Sequence, residues 1–88
     1  MIVNFESSFD RDISKLTDKK IAKKLIEVIE KFEASPDLKN FTNIKKLKGY
    51  SHYYRLKIGD YRLGFSIEQN QINLIRFLHR KEIYRIFP

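Results

Sequence analysis

The chain has 88 residues, 42% of them hydrophobic and 14% aromatic, with 18 Lys and Arg against 11 Asp and Glu for a net charge of +7. That supports one small core and no second domain, lies far from a disordered composition, and, with no cysteine, excludes disulfides, thiolate nucleophiles and thiolate metal sites. No apolar run approaches the roughly 20 residues that span a bilayer and the N-terminus has no signal-peptide pattern, so a cytoplasmic protein without membrane attachment is expected.

Ile2-Val3-Asn4-Phe5 predicts a short first strand. Phe5, Phe9, Ile13 and Leu16 then recur at spacings of four, four and three, one stripe of an amphipathic helix. Ser7 or Ser8 can cap its start, and Asp10 and Asp12 sit in the early turns where the helix dipole favours acids. Thr17 or Asp18 starts a second helix, whose stripe is Ile21, Leu25, Val28, Ile29 and Phe32. On its outer side Lys23, Glu27 and Lys31 follow at i,i+4 spacing, where opposite charges add a few tenths of a kcal/mol per pair, roughly. Ala34-Ser35-Pro36-Asp37 ends it, because proline biases the residue before it away from the helical region. With almost no chain between them, the two helices form an antiparallel hairpin whose facing stripes are core and carry no chemistry.

Residues 38–52 read as a connector rich in Lys and Asn, with Lys45, Lys46 and Lys48 before Gly49. Next come two alternating runs, Tyr53 to Ile58 and Tyr61 to Phe65, joined by Gly59-Asp60, the sequence signal of a β-hairpin. A two-residue loop there fixes the register: Ile58 faces Tyr61, Lys57 faces Arg62, Leu56 faces Leu63 and Arg55 faces Gly64. One face then carries Tyr54, Leu56, Ile58, Tyr61, Leu63 and Phe65, and the other carries Arg55, Lys57 and Arg62 around a glycine that leaves room beside them.

A last strand runs from Gln71 to about His79 after a Gln69-Asn70 turn, and the tail Arg80–Pro88 has length for one or two helical turns. A two-residue turn at Gln69-Asn70 pairs Phe65 with Leu74 and Ile67 with Ile72. It also sets Arg76 on the apolar face opposite Leu63, and puts Ile75, Phe77 and His79 on the basic face. A bulge, or a central strand buried on both faces, would relieve the conflict, and the sequence does not choose between them. The expected fold is α+β, a single domain over residues 1–88. An N-terminal strand and an antiparallel helical hairpin pack on a mainly antiparallel sheet of about four strands, with a short C-terminal helix or tail.

Charge divides unevenly. Residues 1–38 hold seven Lys/Arg and eight Asp/Glu, a net of −1, whereas residues 39–88 hold eleven and three, a net of +8. Such asymmetry points to a polyanion, nucleic acid or an acidic protein. Like charges directly across a ladder are destabilising, so Lys57 against Arg62 makes sense where an anion belongs between them. The chemistry-capable residues are Arg55, Lys57, Arg62, His79, Arg80 and Tyr84. Guanidinium groups bind phosphate in a planar fork and aromatic rings stack on bases, so a basic strand face beside aromatics suits single-stranded RNA better than duplex reading by a helix. Each also has a plain structural role open to it: Arg55 and Lys57 as solvated strand charges, His79 as a packing residue, Arg80 and Lys81 as caps of the strand end, and Tyr84 as a cover for the core edge.

No cluster of His and carboxylates with metal-ligand spacing is visible: only Asp60, Glu68 and Glu82 offer carboxylates in the basic half. There is no phosphate-cradling glycine loop and no Ser/His/Asp pattern. A nuclease built from these residues would work without metal or cofactor, by positioning the 2′-hydroxyl of RNA and stabilising phosphorane charge with cations.

The run Tyr54-Arg55-Leu56-Lys57-Ile58-Gly59-Asp60-Tyr61-Arg62-Leu63, followed by His79-Arg80-Lys81-Glu82-Ile83-Tyr84, resembles the basic hairpin and the "HR-x-x-x-Y" ending of the RelE/ParE superfamily of toxins from toxin–antitoxin pairs. The likeness covers nearly the whole chain in element order. Its RelE branch implies a ribosome-dependent endoribonuclease that cuts mRNA in the ribosomal A site and inhibits translation. Lys57 matches a catalytic lysine, Arg62 and Arg80 match arginines that hold the scissile phosphate, and Tyr84 matches a tyrosine that stacks on and orients the mRNA. Arg55 falls where well-known members carry a second lysine, and an arginine does not readily serve as a general base. The resemblance thus implies Lys57 as base for the 2′-hydroxyl, His79 as a second acid or base, and Arg55, Lys57, Arg62, Arg80 and Lys81 as RNA contacts. The products would be a 2′,3′-cyclic phosphate and a 5′-hydroxyl. It also implies a cognate antitoxin that places acidic residues by the +8 half, and a complex that binds operator DNA through the antitoxin. The ParE branch, which shares the fold but inhibits DNA gyrase by protein–protein binding, and an inactive antitoxin-binding remnant are the alternatives.

Overall fold

The alternating runs pair into one five-stranded sheet. A computed structural model describes residues 1–88. In chain order these form β1 (Ile2–Phe5), α1 (Ser7–Ser14), α2 (Lys19–Ala34), β2 (Ile44–Lys46), β3 (Tyr53–Ile58), β4 (Tyr61–Glu68), β5 (Gln71–His79) and α3 (Arg80–Ile86). The strand order is β1-β5-β4-β3-β2, with β1 parallel to β5 and every other pair antiparallel. The α+β class, the leading strand, the helical pair and the short last helix are as the sequence predicts. The sheet has five strands rather than about four because Ile44-Lys45-Lys46, inside the expected connector, pairs with β3.

The β3–β4 hairpin has the register that Gly59-Asp60 dictates, from Ile58 opposite Tyr61 through Arg55 opposite Gly64. Gly59 takes the left-handed φ of +57° that this turn requires, and a Cβ there would meet Ile21 at 3.1 Å. At the next turn Gln69 and Asn70 both have positive φ, the primed-turn geometry that matches the twist of the flanking strands.

The β4–β5 ladder resolves the conflict over Arg76 with a bulge. Phe65 pairs with Leu74 but Gly64 pairs with Arg76, so Ile75 is the extra residue on β5. The phase shift puts Phe77 opposite Leu63 and His79 opposite Tyr61, on the apolar face rather than the basic one. Phe65, Leu63, Ile72, Leu74 and Phe77 then join Phe9 from α1 and Ile21, Leu25 and Phe32 from α2 in the principal core. Phe32 is fully buried, with its ring 5.3 Å from that of Phe65 and 4.8 Å from that of Phe41.

The bulge is held from outside the sheet. β1 pairs with β5 only as far as Leu74, and beyond it α1 takes over the open edge. The Glu6 amide donates to Leu74 O at 3.0 Å, and the Ser8 hydroxyl donates to Ile75 O at 2.6 Å. Asp12 accepts from the Phe77 amide at 2.9 Å and from the Arg76 guanidinium at 2.8 Å and 3.0 Å. Asp12 is buried, so it is not the exposed first-turn acid that the helix dipole suggests. Its hydrogen bond holds the Arg76 pKa above the ordinary arginine value, against the opposing effect of desolvation. Ser8 likewise serves the sheet edge, and no side chain caps α1, which Glu6 precedes; Phe5 belongs to β1 and is half exposed. Asp18 caps α2 as expected, accepting from the Lys20 and Ile21 amides.

The outer face of α2 departs from the expected charge ladder. The structure has two ion pairs, Asp12–Arg76 and Asp60–Arg80, and none among Lys23, Glu27 and Lys31. The Lys31 ammonium instead donates to Asn40 O at 2.7 Å and sits 4.4 Å from the centre of the Phe41 ring, pinning the connector to the helix.

Asp12→Ala leaves the Phe77 amide and the Arg76 guanidinium without partners, and the expected loss is about 2–3 kcal/mol, at the low end for a buried pair because Arg76 keeps some contact with water. Asp10→Ala, on the exposed side of the same helix, is expected to cost under about 0.5 kcal/mol. Urea denaturation of both variants checks this, the Asp12 variant shifting in midpoint with an unchanged slope.

Candidate functional site

On the sheet face away from α1 and α2, the hairpin register sets Arg55, Lys57 and Arg62 side by side, with Lys57 directly opposite Arg62. β2 adds Lys45 opposite Arg55, and the Lys57 amide donates to Asn43 O at 3.0 Å, so the chain entering β2 borders the same spot. Tyr84 reaches it from α3. These side chains, with Asn43 and Ile44, line a cleft of about 260 Å³ that contains four cations and no carboxylate.

The cations are oriented by local contacts. The Arg55 guanidinium carbon lies 4.6 Å from the centre of the Tyr84 ring, a cation–π contact. Nη1 of Arg62 donates to the carbonyls of Gly59 and Tyr61, both at 2.9 Å, which folds that edge of its fork back onto the turn. Lys57 is exposed and makes no side-chain hydrogen bond or ion pair within the protein. Like charges opposite one another on a ladder repel, and an anion between them would reverse the repulsion, so the arrangement can accept a phosphate or a carboxylate.

A second small core places Tyr84. Leu47, Ile83 and Phe87 are buried together, packed against Tyr53, Ile75 and Leu78. The space beside Gly64, left open by sequence reasoning, is filled: a Cβ on Gly64 would come within 2.9 Å of the Phe87 ring. Phe87 also meets Tyr53 edge-on at 5.7 Å. With Ile83 and Phe87 fixed, the intervening turn of α3 turns Tyr84 to the cleft.

Of the residues proposed from sequence, Arg55, Lys57, Arg62 and Tyr84 meet in this cleft. His79 does not. Its Nδ1 accepts from the Lys81 amide at 3.2 Å, capping α3, its ring lies edge-on to Tyr61, and it lines a separate recess of about 210 Å³ with Asp12, Arg76 and Glu82. Arg80 stands by the hairpin turn: its amide donates to Asp60 O at 2.8 Å and its Nε is 4.0 Å from the Asp60 carboxylate. Lys81 is exposed and outside the cleft lining. Asn43, Ile44 and Lys45 are lining residues that the sequence reading left in a connector. The apolar Ile44 and Leu47 flanking two lysines are their only local signal of a strand.

The chain matches the family described as ParE toxin of type II toxin–antitoxin system, parDE, over residues 3–84. It is 39% identical over 89 residues to toxin RelE3 of Methanocaldococcus jannaschii, with 100% of each chain covered. Among solved structures it resembles a chain of the RelB–RelE antitoxin–toxin complex from Methanococcus jannaschii, with a TM-score of 0.84, 36% identity, and 97% of this chain and 99% of that one covered. A chain of the archaeal RelE–RelB complex from Pyrococcus horikoshii shares the fold, with a TM-score of 0.72 at 22% identity over 92% of this chain and 96% of that one.

If the Phe87–Gly64 contact sets the position of Tyr84, Gly64→Ala is expected to destabilise the protein by about 1–3 kcal/mol, the usual cost of overpacking, and to shift the NMR signals of Tyr84. Phe87→Leu in the same chain relieves the clash and recovers part of the loss. An unshifted Tyr84 in a destabilised Gly64→Ala protein would separate the two cores from the site.

Proposed function

This chain belongs to the RelE/ParE superfamily of toxins of type II toxin–antitoxin systems, and we propose from that premise that it is a ribosome-dependent endoribonuclease cutting mRNA in the ribosomal A site. The observation that carries the reading is the cleft itself: Arg55, Lys57, Arg62 and Tyr84 around a space lined by no carboxylate. A protein that acted only as a protein-binding inhibitor has no need to hold a lysine against an arginine beside an exposed tyrosine.

In this reading the message enters with a base on the outer face of Tyr84 and the scissile phosphate between Lys57 and Arg62. Lys57, in its neutral amine form, takes the proton of the 2′-hydroxyl, and the 2′-oxygen bonds to the adjacent phosphorus. The bond from phosphorus to the 5′-oxygen breaks, and that oxygen takes a proton from water, giving a 2′,3′-cyclic phosphate and a 5′-hydroxyl. Arg62 stabilises the charge that develops on the phosphorane, joined by Arg80, whose exposed side chain stands at the same end of the hairpin. His79 is the weaker candidate for base, since its Nδ1 lone pair is engaged in capping α3. Four cations without a carboxylate are a poor donor set for a divalent metal, which supports a mechanism run by side chains alone. So small a cleft holds little of the message, and the ribosome supplies the remaining orientation. The partner of the resting toxin is a cognate antitoxin, acidic where it meets the basic half and carrying the complex to operator DNA.

A second reading, a ParE-like inhibitor of DNA gyrase, is favoured by the description of the matching family alone.

Incubation of a defined mRNA with the purified protein, with and without ribosomes exposing that message in the A site, is the test. The expected result is cutting at the A-site codon only in the presence of ribosomes. Lys57→Ala and Arg62→Ala are each expected to lower it by about 100-fold or more, the scale of losing a general base or a charge-stabilising donor. Undiminished cutting by both variants would overturn the assignment, and intact mRNA together with gyrase-dependent DNA breaks in cells would favour the second reading.

A further inference from the structure

A phosphodiester joins two nucleosides, and the Tyr84 cleft accommodates one of them. Lys57 stands on the wall between that cleft and a second groove of about 420 Å³ that runs along α2. The two concavities share Asn43 and Lys57, so a strand whose phosphate rests on Lys57 passes from one into the other without leaving the surface. Half-buried Val28 gives the groove an apolar portion against which a base can lie, the buried Ile58 forms part of its floor, and Lys24 and Glu27 line it from the helix.

Two of the charged groups that α2 brings there, Lys24 and Glu27, are uncommitted. Glu27 forms no ion pair, although lysines lie four residues away on either side. The Lys31 ammonium is held by Asn40 and Phe41, which leaves Lys24 as the unengaged cation that α2 contributes to the groove, besides Lys57 from β3. A carboxylate inside a basic groove is a poor phosphate contact but a good acceptor for the amino and imino donors on the edge of a base. We propose that this groove takes the second nucleoside of the bond being cut, that Glu27 reads its base, and that Lys24 contacts the phosphate beyond it. The inference rests on the ribonuclease reading, and adds to it both a place for the other half of the substrate and a source of base preference. Guanine, which offers two adjacent donors to one carboxylate, fits best, and uracil, with a single N–H between two carbonyls, fits least.

The test is a cleavage series on programmed ribosomes, with messages that carry each of the four bases on either side of the cut bond. The unaltered protein is expected to favour guanine over uracil at one of the two positions, by about 10-fold for a charge-assisted contact. Glu27→Gln, on an exposed helix face, is expected to flatten that preference to within about 3-fold while the preference at the other position stays, and Lys24→Gln to raise KM more than it lowers kcat. A four-base pattern that Glu27→Gln leaves unchanged at both positions, in a protein that still cuts, would overturn the groove and leave the ribonuclease reading standing. No cutting by the unaltered protein on any message would overturn both.

Discussion

The grip of Asp12 on the bulge in β5 is the constraint from which the rest of the molecule follows. One carboxylate binds the Phe77 amide and the Arg76 guanidinium just past the point where β1 stops covering the edge of β5. Without the extra residue at Ile75, strand alternation would put Phe77 on the basic face and Arg76 in the core. With it, Phe77 joins the core under the helices, and Ile75 and Leu78 face the other way. Those two apolar side chains are part of the ground on which Ile83 and Phe87 rest. The hydrogen bond between α1 and the sheet edge therefore bears on the opposite face as well, because the phase it fixes puts Leu78 beneath α3 and sends Phe77 to the principal core.

The two faces of the sheet carry different burdens. One is covered by α1 and α2 and buries most of the apolar surface, the dominant favourable term in a domain of this size. The other has a core of only three buried residues, and next to it stand Lys45, Arg55, Lys57 and Arg62 with no acid among them. Their mutual repulsion is a cost that the principal core must offset. Contacts that hold the cations without neutralising them contain it: a tyrosine ring under Arg55 and two backbone carbonyls under Arg62. Both are partners that leave a positive charge available to a ligand.

How far the sequence could be read follows from the range of the interactions involved. Gly59-Asp60 fixes the hairpin through two residues and a known turn geometry, so the placement of Arg55, Lys57 and Arg62 on one face was legible. The bulge was legible only as one of two ways to relieve the conflict at Arg76, because what holds it lies more than sixty residues away in Asp12, which in sequence is one more acid near the start of a helix. β2 escaped notice because three residues with two lysines have no period to detect, and only pairing with β3 defines them. The glycine at position 64 reads in sequence as room beside the cations and is instead the seat of Phe87, a contact between the middle of a strand and the end of the chain that no local pattern encodes. His79 follows the bulge: once the phase changes, it leaves the basic face and becomes the cap of α3.

If the cleft works as proposed, Arg55 bears on the division of labour within it. Where the family resemblance implies a lysine, this chain has a guanidinium whose central carbon lies 4.6 Å from the centre of the Tyr84 ring and which stays permanently charged. Such a residue is suited to hold the ring at a fixed angle and to add positive charge behind it, and it is unsuited to remove a proton. On the proposed reading, the base is left to Lys57, which sits opposite Arg62 and on the rim shared with the groove along α2. A proton acceptor at the boundary between two nucleoside sites is where a 2′-hydroxyl must lie when the strand is drawn across it, since that hydroxyl and the phosphate it attacks belong to the junction between neighbouring nucleotides. On that reading the basic hairpin, Tyr84 of α3 and Glu27 of α2 all serve one short segment of strand that crosses a single lysine.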